Sequence, residues 1–161
     1  MKAEFARAAT LADLKALVRE LESRSIPYML IGGYALAAHG YQRATTDIDI
    51  LFPATAAVGA LVRDALLTLP DRAAQDIDPL WFNEGENIRV NDAFVIDIML
   101  NANGQTYEML KDHVQTIHID DMPIKTVDLQ GLLLTKQTLR PKDAEDRVVI
   151  ELALQDIKGA Q

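Results

Sequence analysis

The chain contains no cysteine, so neither a disulfide nor a thiolate metal site can belong to its chemistry. No stretch approaches the ~20 consecutive apolar residues that a membrane-spanning helix requires. The opening segment, MKAEFARAATLADLK, lacks the uninterrupted apolar stretch of a secretory signal, and the expectation is a cytoplasmic protein with no membrane partner. Internal repeats and low-complexity tracts are absent as well. Basic residues are in short supply: 16 Lys and Arg stand against 24 Asp and Glu, a net charge of −8. A broad nucleic-acid footprint needs clustered basic residues, so the balance argues against one. It does not argue against a nucleotide, because acids gathered at one point can hold a cation, and the cation can hold phosphate. Otherwise such a charge simply favours solubility.

What is present is ordinary globular material: 161 residues, 49% hydrophobic and 25% charged. A domain of ~150 residues buries roughly 70% of its unfolded surface. The expectation is a single domain over 1–161, with C-terminal helices from about residue 128.

Helical spacing of Leu11, Leu14, Leu17, Val18 and Leu21 predicts a helix near 10–24, opened by a capping box at Thr10 and Asp13. Tyr28 to Ile31 reads as a short buried strand, broken by Gly32-Gly33 and followed by helix formers up to Gly40. Thr45 to Phe52 predicts a strand, 55–69 an amphipathic helix, and Asp76 to Pro79 a loop. Asn87–Val90 and Phe94–Leu100 predict a hairpin turning on Asn91-Asp92. A short helix near 106–112, strands at Gln115–Ile119 and Pro123–Val127, and helices at about 128–139 and 143–157 complete the chain. Strands and helices without strict βαβ alternation favour an α+β fold, a small mixed sheet with flanking helices.

The acids within the strands carry the chemistry. Asp47 and Asp49 are two apart, so an extended chain projects both to one face, roughly 7 Å apart at Cα, while Ile48 and Ile50 take the other. Two such carboxylates resist ionising together unless a cation compensates. Magnesium suits them, since it takes oxygen ligands and is commonly held by one or two carboxylates plus substrate phosphates. Asp97 interrupts the apolar run Phe94–Leu100, and a lone acid in a central strand is costly unless paired or metal-bound. Were its strand to lie beside the first, three carboxylates would converge. Such a set can hold two metals ~4 Å apart for in-line displacement at phosphorus. Glycines at the Gly32-Gly33 junction would let the backbone approach a ligand closely.

These residues carry a family resemblance. The run Tyr28-Met29-Leu30-Ile31-Gly32-Gly33-Tyr34-Ala35-Leu36, a spacer of thirteen residues from Tyr34 to Thr46, and then Asp47-Ile48-Asp49 resemble the signature of the DNA-polymerase-β-like nucleotidyltransferase superfamily. Asp97 sits on a later strand, where that family places its third carboxylate. Asp128 to Lys136, followed by Arg140 to Asp146, resembles the C-terminal region of bacterial nucleotidyltransferases of the abortive-infection and toxin–antitoxin type. The likeness covers most of residues 26–155.

The resemblance implies a metal-dependent transfer of a nucleoside monophosphate from an NTP such as ATP to an acceptor hydroxyl, with release of pyrophosphate. It implies Mg2+ or Mn2+ at Asp47, Asp49 and Asp97, with Asp97 also a candidate base. It implies a triphosphate cradled by Gly32 and Gly33. Gly33 stands where many relatives have Ser, which removes a hydroxyl contact to phosphate. The acceptor stays open among a small molecule, a protein hydroxyl and an RNA 3′ end. A partner protein or a homodimer would supply surface that so short a chain lacks, and an inactive, partner-binding module is the alternative function.

Other residues keep two readings. Lys136 either carries its charge into water over an apolar stem or reaches the nucleotide phosphates. Arg43 either meets phosphate or pairs with an acid. Asp143 and Asp146 read as a helix cap and first-turn acid. His39, His113 and His118 lack metal spacing and read as structural or exposed. Trp81 and Phe82 read as core rather than as a base-stacking pair.

Overall fold

The computed structural model describes residues 7–41, 45–136 and 141–159. The fold is α+β. In chain order it comprises α1 (Leu11–Ser23), β1 (Met29–Ile31), α2 (Gly32–Ala38), β2 (Asp47–Leu51), α3 (Ala56–Leu66), α4 (Trp81–Glu84), β3 (Ile88–Asn91), β4 (Val95–Met99), α5 (Tyr107–Leu110), β5 (Val114–Ile119), β6 (Met122–Val127), α6 (Leu129–Thr135) and α7 (Pro141–Gly159). The strands form one six-stranded mixed sheet in the order β3-β4-β2-β1-β6-β5. β2 and β4 run parallel, as do β1 and β6, and the other neighbouring pairs are antiparallel.

Local chemistry explains where the elements begin. The Thr10 hydroxyl accepts from the Asp13 amide at 3.2 Å, and the Asp13 carboxylate accepts from the Thr10 amide at 2.8 Å, the reciprocal bonds of a capping box. Asp128 caps α6, its carboxylate accepting from the Gly131 amide at 2.7 Å. Gly59 lies mid-helix in α3, where glycine costs stability. A Cβ there would come within 2.8 Å of the Phe82 ring, so the glycine is what lets α4 dock on α3.

The core fixes the register of the central strands. Ile48 and Ile50 of β2 and Ile96 and Ile98 of β4 are buried in one cluster with Leu14, Leu17 and Leu21 of α1 and Val62 and Leu66 of α3. Slipping either strand by one residue would expose its two isoleucines and bury its acids. Each buried isoleucine stabilises the fold by roughly 1.5–3 kcal/mol, which decides the matter. The apolar alternation therefore determines which way Asp47, Asp49 and Asp97 face.

Several expectations need correction. The loop expected at Asp76–Pro79 is present from Ile77 onward, and only Asp76 differs, closing a 3-10 turn, Ala73–Asp76. Phe82 is buried as expected, whereas Trp81 is 41% exposed and not core. Asp92, expected as a mere turn residue, is buried. Its carboxylate accepts backbone N–H bonds from Asp71 at 2.9 Å, Ala73 at 2.9 Å and Ala93 at 2.8 Å, tying two loops together. Helix α6 ends at Thr135, short of the expected residue 139, with Lys136 as its C-cap.

Candidate functional site

β4 lies beside β2 with Asp97 in register with Asp49. On the other side of β4, Asp97 is in register with Arg89 of β3; on the other side of β2, Asp49 is in register with Ile31 of β1. Register partners project to the same face of a sheet, so one row across four strands reads Arg89, Asp97, Asp49, Ile31. Asp47 joins it from one pleat along β2, its carboxylate accepting from the Thr46 hydroxyl at 3.1 Å. The three acids named from sequence thus share one face of two adjacent strands.

Arg89 closes the row. Its Nε donates to Asp97 at 2.9 Å, and its Nη2 donates to Asp47 at 2.9 Å and to Asp97 at 3.3 Å. Asp49 takes no part in these bonds. Its neighbour across the strands is Asp97, its register partner. Burial first, and then Asp97, push the Asp49 carboxyl up to about 7; Lys136 pulls the other way. The acid at the centre of the row is short of positive charge.

Gly32 backs directly onto that acid. It has φ +73°, and a Cβ there would lie 2.2 Å from Asp49 Oδ2. The residue is glycine because both the backbone conformation and the carboxylate require it. Gly33 is half-buried in the first turn of α2. A cleft of about 340 Å3 opens over this point, walled by Gly32 and Asp49, by Asn87, Asn101 and Asn103, and by Lys136. Asn87 is itself held: its Oδ1 accepts from the Leu100 amide at 2.8 Å, and its Nδ2 donates to the Asn101 carbonyl at 2.9 Å.

Lys136 faces the cleft, yet its side chain is only 13% exposed. Its ammonium lies 3.3 Å from Asp143 and 3.2 Å from Asp146, both buried. The two acids expected as a helix cap and first-turn acid thus share a lysine; Asp143 does occupy the first turn of α7. Arg43 lies outside the described residues. The histidines are away from the row: His39 Nε2 meets the Val127 carbonyl at 2.8 Å, His113 Nδ1 meets Asp128 at 3.0 Å, and His118 is exposed on β5.

Sequence reasoning missed Arg89 and the asparagines. A two-residue turn at Asn91-Asp92 would set Arg89 opposite Phe94. The observed loop spans three residues, Asp92 to Phe94, and sets Arg89 opposite Asp97. The signal was the arginine at an alternating position between Ile88 and Val90, which reads only once the loop length is known.

The donor set, three carboxylates on one face of two adjacent strands, is of the kind a hard cation takes. As placed, Arg89 occupies Asp47 and Asp97, and among the described residues no three His, Cys, Asp or Glu side chains form a ready-made metal cage. Only with the guanidinium elsewhere would those oxygens be open to such a cation. Among the described residues, no helix is long and apolar enough to cross a membrane. No protein-family model matches the chain, and no curated protein is detectably similar to it.

Proposed function

We propose that the chain is a metal-dependent nucleotidyltransferase that moves a nucleoside monophosphate from an NTP to an acceptor hydroxyl. The observation that supports this most is the row in which Asp49 and Asp97 stand in register on adjacent parallel strands, with Asp47 one pleat away and the Gly32 backbone against Asp49. An accidental pair of acids on an exposed strand would not be backed by a positive-φ glycine with no room for a side chain. The sequence resemblance to the polymerase-β-like superfamily points the same way. An intracellular setting, where NTPs are held, goes with this reading.

In this reading Asp47, Asp49 and Asp97 would hold Mg2+ or Mn2+. When bound, that ion supplies charge neutralisation for the triphosphate and lowers the cost of ionising the acceptor hydroxyl. The chain's own residues do the remainder. The Gly32 backbone, bare of a side chain, lets phosphate approach the carboxylate row. Asp97 takes the proton of the acceptor hydroxyl as its oxygen bonds to the α-phosphorus. The bond from that phosphorus to the bridging oxygen breaks, and pyrophosphate leaves with the electron pair. Lys136 sets the potential of the cleft from its third wall, with Asp143 and Asp146 fixing its ammonium in place. Asn87, Asn101 and Asn103 offer neutral polar groups for the nucleoside or the acceptor.

The test is calorimetric titration of NTPs with and without Mg2+, on the wild-type chain and on Asp47→Ala. Metal-dependent binding that the substitution removes supports the reading; no metal-dependent binding at millimolar NTP overturns it. A second reading, an inactive module working through a partner protein, draws on the guanidinium seated between Asp47 and Asp97. Copurification of a stoichiometric partner, with biological effect retained in Asp97→Ala, would favour it.

A further inference from the structure

We infer that Arg89 is a displaceable counter-cation: its guanidinium is held between Asp47 and Asp97, and metal loading requires it to swing out. The inference rests on the metal-site reading above and adds a regulatory step to it. Its Nη2 touches both acids at once, so the guanidinium stands where any cation shared by those two carboxylates would have to stand. The two cannot be there together.

Three further features make the exchange practicable. First, Arg89 lies on β3, an edge strand, and its side chain is 57% exposed, so leaving uncovers little. Second, its hydrogen bonds among the described residues go only to Asp97 and Asp47. Third, a separate hollow of about 350 Å3 adjoins it, lined by Trp81, Glu84, Glu86 and Asn87. A guanidinium turned away from the aspartates meets a space with two glutamates and an exposed indole, chemistry that receives an arginine well.

The charge balance supplies the drive. One guanidinium bonds two of the three acids and makes no bond to Asp49, which shares their face. A divalent ion brings twice the charge to the same row, so the exchange relieves repulsion that Arg89 leaves standing. Until that happens, metal sees only the fraction of molecules with the latch open. If that fraction is about one in ten, the apparent metal affinity is about tenfold weaker than the intrinsic one. Nucleotide triphosphate offers the released guanidinium another anion, so metal and nucleotide should help each other bind.

The experiment titrates Mn2+ into the full chain and reads free Mn2+ by its paramagnetic resonance signal. The proteins are wild type, Arg89→Met, Arg89→Gln and Asp97→Asn. Removal of the latch should tighten Mn2+ binding about tenfold in both Arg89 variants, while Asp97→Asn should weaken it strongly. Thermal unfolding gives a second readout: in chelator the Arg89 variants should melt below wild type, and on adding Mn2+ they should gain more than wild type does. An arginine serving only the fold would lower both melting points alike. Equal or weaker Mn2+ binding in the Arg89 variants overturns the latch and leaves the metal site standing. Absence of Mn2+ binding in all four proteins overturns the latch and the metal site together.

Discussion

Two aspartates bracket strand β4, one in the turn that precedes it and one across from its centre, and they are treated in opposite ways. Asp92 is buried and accepts three backbone N–H bonds, so its charge is fully met by amides that cannot move away. Asp49 also lies largely out of water, but its neighbours are two further carboxylates, and its pKa is pushed up to about 7. Burial alone therefore says little about what an acid is for. A carboxylate met by amides is a structural joint; a carboxylate met by carboxylates is a candidate site. The Lys136 cluster stands between the two, with two buried acids sharing one ammonium at the wall of the cleft.

The comparison breaks most easily at Asp92. Replacing it with Ala leaves three amides near the β3–β4 turn without their acceptor, and we expect a loss of about 3 kcal/mol in urea unfolding. Nucleotide binding per folded molecule should survive. A loss under 1 kcal/mol would show that water replaces the carboxylate and that Asp92 is no joint. Gly32→Ala comes next. The positive φ alone costs an L-residue about 1–2 kcal/mol, and the new Cβ would collide with Asp49 Oδ2. We expect destabilisation of about 2 kcal/mol together with loss of Mn2+ binding, because the carboxylate must move. Unchanged metal binding would separate Gly32 from the site.

The contrast was only half legible in the sequence. Alternation of Asp47, Ile48, Asp49 and Ile50 shows in the letters because the side-chain period of a strand is local, and the same holds for Asp97 between Ile96 and Ile98. The α+β class and the capping box at Thr10 depend on equally local rules. What distinguishes Asp92 from Asp49 is not local. The amides of Asp71 and Ala73 reach Asp92 from some twenty positions away. Arg89 reaches Asp97 only because the loop has three residues rather than two. Lys136 reads as a charge on a helix stripe until α6 stops one residue short of it and α7 brings Asp143 and Asp146 alongside. Periodicity tells which face a group takes, and tertiary closure tells what it meets there.

Asp49→Asn should act in the opposite direction from Asp92→Ala. It removes a like charge from a crowded row, so in chelator at neutral pH we expect a gain of about 1 kcal/mol. Mn2+ binding should be lost with it. A destabilised variant would mean that Asp49 is satisfied after all and that the two aspartates differ only in degree.

The last test lies in the pH profile. The folded-state pKa of Asp49, about 7, stands above its ordinary 3.8. Between those values the unfolded chain has released a proton that the folded chain keeps, so the folded state binds more protons and stability falls as pH rises. The Asp49 contribution is therefore fully present below about pH 4, declines through pH 7 and then levels off. Asp13 carries the opposite sign, since its bond to Arg7 lowers it to about 2, and its contribution fades only as pH falls below about 4. The two windows do not overlap. Denaturant unfolding in chelator from pH 4 to pH 8 should show wild type losing stability relative to Asp49→Asn, with the difference growing up to about pH 7. Added Mn2+ should flatten the wild-type slope, because an ionised Asp49 then has its partner. Parallel profiles for the two proteins would place Asp49 in the same class as Asp92, an acid whose charge the fold already meets.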